Sequence, residues 1–183
     1  MMFEKAYTFD DIALVPNYNT IKSRLHVSLD TNLTRNIKIN NPLIPANMDT
    51  VISFKLAEEV ISEGGIPIFH RFCSLDEQIK FCRNYPESCF VSCGVSDDEI
   101  NKLDQLFSNG ALGVCIDIAH GHSTVMINLI RDIKRKYPTK DIIAGNICTK
   151  EGYLDLVIAG ADAVKVGVGP GAACTTRIVT GFG

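Results

Sequence analysis

The segment Gly167-Val168-Gly169-Pro170-Gly171-Ala172-Ala173-Cys174-Thr175-Thr176-Arg177 puts one cysteine on a glycine-rich loop directly after an apolar run. Alternate glycines let the backbone take positive φ and turn amides and carbonyls toward a ligand or an ion. Cys174 is therefore a candidate nucleophile, because the hydroxyls of Thr175 and Thr176 and the guanidinium of Arg177 could favour a thiolate and relay a proton. The plainer alternative is a tight turn beside a packed thiol, since free cysteine is among the most buried residue types. The glycines run G-x-G-x-G rather than the G-x-G-x-x-G of a dinucleotide fingerprint, which makes phosphate cradling by this loop the weaker reading.

Apolar runs begin near Leu43, Ile66, Cys89, Leu112, Asp141 and Ala163, about 22 to 29 residues apart, with a helical pattern between each pair. This is a βα repeat. Val114-Cys115-Ile116 and Ile142-Ile143-Ala144 lack polar alternation, as parallel strands covered on both faces do. Ser74-Leu75-Asp76-Glu77 and Ser96-Asp97-Asp98-Glu99 read as capping boxes at two helix starts. Val125, Met126, Leu129, Ile130 and Ile133 are expected on one buried helix face, and Gly64-Gly65, Gly110 and Gly160 where helices end. Polar or glycine positions then collect after the strands, at Asn47, His70, Asp117, Asn146 and Gly169. Both a (β/α)8 barrel and a doubly wound sheet bind ligands at that end of their strands. The lack of a nucleotide loop after the first strand tips the reading toward the barrel.

The chain has 183 residues, 46% hydrophobic and 21% charged, enough for one domain with a sizeable core. A net charge of -3 and no basic run longer than Lys134-Arg135-Lys136, expected on a solvated helix face, leave no electrostatic footprint for nucleic acid. No stretch reaches the ~20 apolar residues of a membrane span and Met1-Met2-Phe3-Glu4-Lys5 has no apolar signal core, so a cytoplasmic protein is expected. Seven cysteines without a C-x-x-C pair suit reduced thiols better than disulfides or zinc; Cys73, Cys82, Cys89, Cys93, Cys115 and Cys148 are read as structural.

Several segments in order resemble the IMP dehydrogenase and GMP reductase family: Thr8-Phe9-Asp10-Asp11 with Leu14-Val15-Pro16, Ala46-Asn47-Met48-Asp49-Thr50-Val51, Asp117-Ile118-Ala119-His120-Gly121-His122-Ser123, Ala144-Gly145-Asn146, and Val166 through Gly183. The resemblance implies a (β/α)8 TIM barrel, a purine nucleotide substrate (GMP or IMP), a nicotinamide cofactor, and a cysteine that forms a thioimidate at purine C2. Ala46-Asn47-Met48, the absence of room for a CBS pair after His70-Arg71-Phe72, and Thr180-Gly181-Phe182-Gly183 make the chain more similar to the reductase branch, whereas Thr34-Arg35-Asn36 and Arg177-Ile178-Val179 read closer to the dehydrogenases. The expected reaction is NADPH-dependent conversion of GMP to IMP and ammonia, in a homotetramer; a dehydrogenase without the CBS module, oxidising IMP with NAD, and an inactive truncation product are the alternatives.

Residue by residue, Cys174 matches the nucleophile and Thr176 its proton-passing neighbour. The carbonyls of Gly169, Gly171 and Cys174, together with Arg177, match a monovalent-cation (potassium) loop. Ser23, Arg24, Arg71, Asp117, Ile118, Ala119, Val168 and Gly169 match NADPH contacts, Arg71 standing where lysine is frequent, and Met48 and Asn146 match positions near the substrate base and ribose. From local sequence alone, Asp117 serves equally as a ribose ligand or a cap for the next helix, and His120 and His122 suit packing or capping as well as chemistry. Residues 1–183 read as one barrel domain holding only the first six βα units. The strand after Ala163 is then left with an unpaired edge, and the carboxylate expected to pair with Thr176 is missing.

Overall fold

The computed structural model describes residues 7, 9–96, 98–171 and 174–182. After short 3-10 turns at Phe9–Asp11 and Arg24–His26 come a hairpin, β1 (Thr31–Asn32) and β2 (Lys38–Ile39), and a helix, α1 (Phe54–Ser62). Strands and helices then alternate: β3 (Ile68–Phe69), α2 (Leu75–Asn84), β4 (Phe90–Cys93), α3 (Glu99–Ser108), β5 (Gly113–Asp117), α4 (Thr124–Lys136), β6 (Asp141–Ile147), α5 (Lys150–Ala159), β7 (Ala163–Val166) and α6 (Thr176–Thr180). The five strands β3 to β7 lie side by side in chain order, every pair parallel, which is the arc of a partial TIM barrel.

Side chains alternate across this arc. Val91, Cys93, Val114, Ile116, Ile142 and Ala144 face the helices in one core that also holds Leu103, Met126, Ile130, Ile133 and Leu156. Ile68, Phe90, Cys115 and Ile143 face inward and form a second core with Leu33 and Ile37 of the β1–β2 hairpin. The hairpin thus covers the inner face at the starts of the strands. Its connection is tied there by the Thr34 hydroxyl bonding to Asp141 and by Asn36 Nδ2 donating to Asp141 Oδ1 at 2.7 Å.

Several local expectations hold. Ser74 Oγ accepts the Glu77 amide at 3.2 Å, and Gly64, Gly110 and Gly160 take positive φ at helix ends. Others are corrected. The run from Leu43 forms no strand, because Pro42 and Pro45 bracket it without a donor N–H for a ladder. The sheet therefore begins at Ile68, while α1 of that first unit is present. Helix α3 starts only after Asp98; Ser96 Oγ meets the Glu99 carboxylate at 3.4 Å instead of an amide, and Asp97 lies outside the described residues. Val125 is 54% exposed, one step off the buried stripe of Met126, Leu129, Ile130 and Ile133. Lys134 is only partly solvated: its ammonium sits 2.5 Å from Asp162, whose side chain is 3% exposed.

Candidate active site

All five parallel strands point their carboxyl ends the same way, so the loops after them share one mouth. A cavity of about 720 Å³ opens there, lined among others by Met48, Arg71, Asp117, Ile118, Ala119, Asn146, Val168, Gly169, Gly171, Cys174 and Thr176. Eleven positions singled out from sequence, drawn from loops up to 128 residues apart, therefore meet at one site. Three do not line it. Ser23 accepts the Leu25 amide at 3.3 Å on the exposed turn that Arg24 begins, and the Arg177 side chain lies along Gly169.

The glycine loop is held from below. Asn146 Nδ2 donates to the Gly167 carbonyl at 2.7 Å and the Gly167 amide donates to Ile147 O at 2.8 Å. Asn146 also exchanges backbone bonds with the β5 loop, its amide to Ile118 O at 2.8 Å and its carbonyl from Gly121 at 2.7 Å. Gly169 has φ +65°, and a Cβ there would stand 3.1 Å from Arg177 Cγ, so both conformation and space call for glycine. Ala172 and Ala173, and Thr8 and Gly183 of the other matching segments, lie outside the described residues.

Cys174 is exposed, with its Sγ 3.1 Å from Thr176 Oγ1 and 3.5 Å from the Thr176 amide. The Thr176 hydroxyl, then its N–H, then the Arg177 charge hold the thiol below the ordinary range, because each favours the thiolate. Three other thiols shift the opposite way. Burial pushes Cys73 up to about 11 and Cys115 up to about 12, and raises Cys93 well above its usual value. Cys82 and Cys89 are buried neighbours, whereas Cys148, read as structural, is exposed because it follows the last residue of β6.

Asp117 does not cap α4, whose cap is Ser123; its Oδ1 instead takes a 2.7 Å bond from Lys165 Nζ. The histidines are structural in their contacts. His120 stacks on Phe182 with ring centres 4.5 Å apart, His122 Nε2 lies 2.9 Å from Asp155 Oδ2, and neither lines the cavity. His70 is buried against Phe69, and its Nδ1 has no hydrogen-bond partner among the described residues.

For a cation, the loop presents neutral backbone carbonyls, hard donors suited to a singly charged ion, although Gly171 O also accepts the Cys174 amide at 3.0 Å. Among the described residues no group of three or more His, Cys, Asp or Glu is placed to hold a metal. For a dinucleotide, the wall from Asp117 to Ala119 with Arg71 combines a carboxylate for sugar hydroxyls with a cation for phosphate. Both groups fit the residues present.

The family model for the IMP dehydrogenase / GMP reductase domain matches residues 6–183. The chain belongs to this family. Relatives include a GMP reductase of Ligilactobacillus salivarius, 41% identical over 183 residues and covering 97% of this chain and 55% of its own length. A GMP reductase of Lactobacillus delbrueckii subsp. bulgaricus is 40% identical over 185 residues, covering 98% and 55%. An inosine-5′-monophosphate dehydrogenase of Borreliella burgdorferi is 35% identical over 233 residues, covering 98% and 57%. The chain spans just over half the length of these relatives. Among its described residues, no helix is long and apolar enough to cross a membrane.

Within this family member, sequence reading missed Lys165, which lies on the cavity floor, and Ser92 behind it. The available signal was a lysine between valines in Ala163-Val164-Lys165-Val166, since a charge on a covered strand needs a partner.

Proposed function

We propose that the protein is a GMP reductase, converting GMP to IMP and ammonia with NADPH as reductant and a monovalent cation as a structural aid. The observation that carries this reading is Cys174: exposed, biased toward its thiolate, and on the wall of the cavity at the strands' carboxyl ends. Its Sγ adds to purine C2 and the C2–N2 bond breaks, the amine leaving as ammonia with protons taken up at nitrogen. Thr176, 3.1 Å from Sγ, is placed to pass a proton beside the reacting centre. A bound dinucleotide would supply hydride, and Cys174 would leave C2 as its thiolate, ready for the next substrate. Asp117, Ile118, Ala119 and Arg71 would hold the cofactor, Met48 and Asn146 the nucleotide, and the carbonyls of Gly169, Gly171 and Cys174 the cation. Ser23 and Arg24 lie off this cavity, and in a homotetramer they would reach the cofactor in the cavity of a second copy.

The alignments favour reductase over dehydrogenase. The dehydrogenase match runs over 233 positions against the 183 residues of this chain, so that relative carries an insertion that the reductases, at 183 and 185, lack. The test is the full-length protein with GMP and NADPH, read by loss of reduced cofactor and release of ammonia, beside Cys174→Ala. Stoichiometric ammonia that vanishes in the variant is expected. Reduction of NAD by IMP without consumption of NADPH by GMP would establish the dehydrogenase instead.

A further inference from the structure

Asp117, Gly145 and Lys165 stand in register on three neighbouring strands, β5, β6 and β7. A Cβ at Gly145 would fall 2.6 Å from Lys165 Cβ and 2.8 Å from its carbonyl oxygen, closer than a non-bonded Cβ approaches its neighbours. Without a side chain, Gly145 lets β7 approach closely at Lys165 and leaves the inward side of the middle strand open to the lysine stem. Its Nζ then donates to Asp117 Oδ1 two strands away and to Asn47 Oδ1, each at 2.7 Å. Asn47, 6% exposed, passes the link on, its Nδ2 donating to Ser92 Oγ of β4 at 2.8 Å.

An ammonium only donates, so it dictates which end of the Asn47 amide faces it and which carboxylate rotamer Asp117 keeps. Both acceptors line the cavity, and among the described residues neither accepts a hydrogen bond from any other side chain. We propose that Lys165 is a positioning residue that sets the Asp117 carboxylate and the Asn47 amide for ligand binding, with Gly145 as the gap that admits it. The proposal rests on the cofactor reading of Asp117 given above. Lys165 and Asp117 are 30% and 24% exposed at the side chain, so the pair meets cavity water and acts through orientation more than through fold stability.

The test uses the full-length protein with NADPH as probe, followed by its fluorescence on binding and by steady-state kinetics. Lys165→Met should raise both the dissociation constant and the KM for NADPH roughly tenfold, the scale seen when a supporting partner is removed. The alkylation rate of Cys174 should stay as in the wild type, which a general collapse of the site would not allow. Lys165→Arg, which keeps the charge and the donors, should recover most of the affinity. In an Asp117→Asn background, Lys165→Met should cost clearly less than it does alone, because the part that acts through that carboxylate is already lost. Lys165→Gln, which keeps a polar side chain of similar length without the charge, should show the same loss and serves if Lys165→Met does not fold. A KM within twofold of wild type in a folded Lys165→Met, or effects that multiply in the double variant, would overturn the proposal. Should the wild type neither bind NADPH nor act on GMP, the function reading fails separately. Crystal structures of wild type and Lys165→Met then decide this one, by whether Asp117 and Asn47 change rotamer or keep their places.

Discussion

Replacing Asp162 with alanine should destabilise the protein by about 3 kcal/mol, a value that follows from what its carboxylate holds. The side chain is 3% exposed and takes the Ile142 amide at 2.8 Å, Lys134 Nζ at 2.5 Å and Arg35 Nε at 3.3 Å. Losing it orphans the Ile142 amide at the start of β6, worth roughly 1–3 kcal/mol. It also strands Lys134, whose side chain is 21% exposed and which keeps the Lys140 carbonyl at 2.8 Å, so its share is about 1 kcal/mol. Arg35 is 56% exposed and keeps the Ala161 carbonyl at 3.0 Å, so water screens its contact and its share is within about 0.5 kcal/mol. For a chain of 183 residues, about 3 kcal/mol is a fall in Tm of about 6–12 °C. Urea titrations followed by circular dichroism on Asp162→Ala, Asp162→Asn and Arg35→Ala give the ranking. Asparagine keeps an acceptor for the amide and should cost about half as much as alanine. Asp162→Ala within about 1 kcal/mol of wild type, or Arg35→Ala equal to it, would refute the assignment of the cost to the buried amide and Lys134.

Thr176→Val should move the alkylation profile of Cys174 to higher pH: the Thr176 hydroxyl is the main cause holding the thiol low by favouring its charged form, and its loss raises the pKa. Iodoacetamide labelling with peptide mapping, needed because Cys148 is also exposed, reads this, and an unmoved profile contradicts the hydroxyl's role. Gly113→Ala should cost about 1–3 kcal/mol or more, since its Cβ would fall 2.2 Å from Asp141 O and 2.4 Å from Phe90 Cε1. Gly171→Ala, with nothing nearer than Cys174 Cβ at 3.7 Å, should leave the urea midpoint unchanged, and equal midpoint shifts for the two would count against the packing argument.

The βα repeat was legible because each strand is a short apolar run and each helix has a local start or stop. Ser74 and Gly160 do their work within three or four residues of themselves, and such features survive reading without a structure. The errors share a cause in contacts that are far apart in sequence or in donors that are absent. Leu43 and Ile44 are apolar enough for a strand, but ladder formation needs N–H groups that Pro42 and Pro45 lack. Lys134 belongs to a basic run on a helix, and only its buried partner at position 162, just before β7, makes it a half-buried ion pair. The Ser96 box has the right letters, but its hydroxyl met the Glu99 carboxylate and left no side chain on the first amides of α3.

The same division runs through the site. Cys174, Asp117 and Asn146 could be named in advance because parallel strands send every carboxyl end to one mouth, so a polar residue after a strand is already placed. Lys165, level with Asp117, sits within an apolar strand run, where the inward period of two gives its direction but not its partner. Its partner follows from register: Asp117 pairs with Gly145 and Gly145 with Lys165, so the charges are two strands apart with a glycine between them. Neighbouring inward side chains of ordinary size would have kept them apart. Once sheet order is known, an inward lysine, a glycine at its level on the next strand and a carboxylate on the one beyond identify a bridge that none of the three residues signals alone.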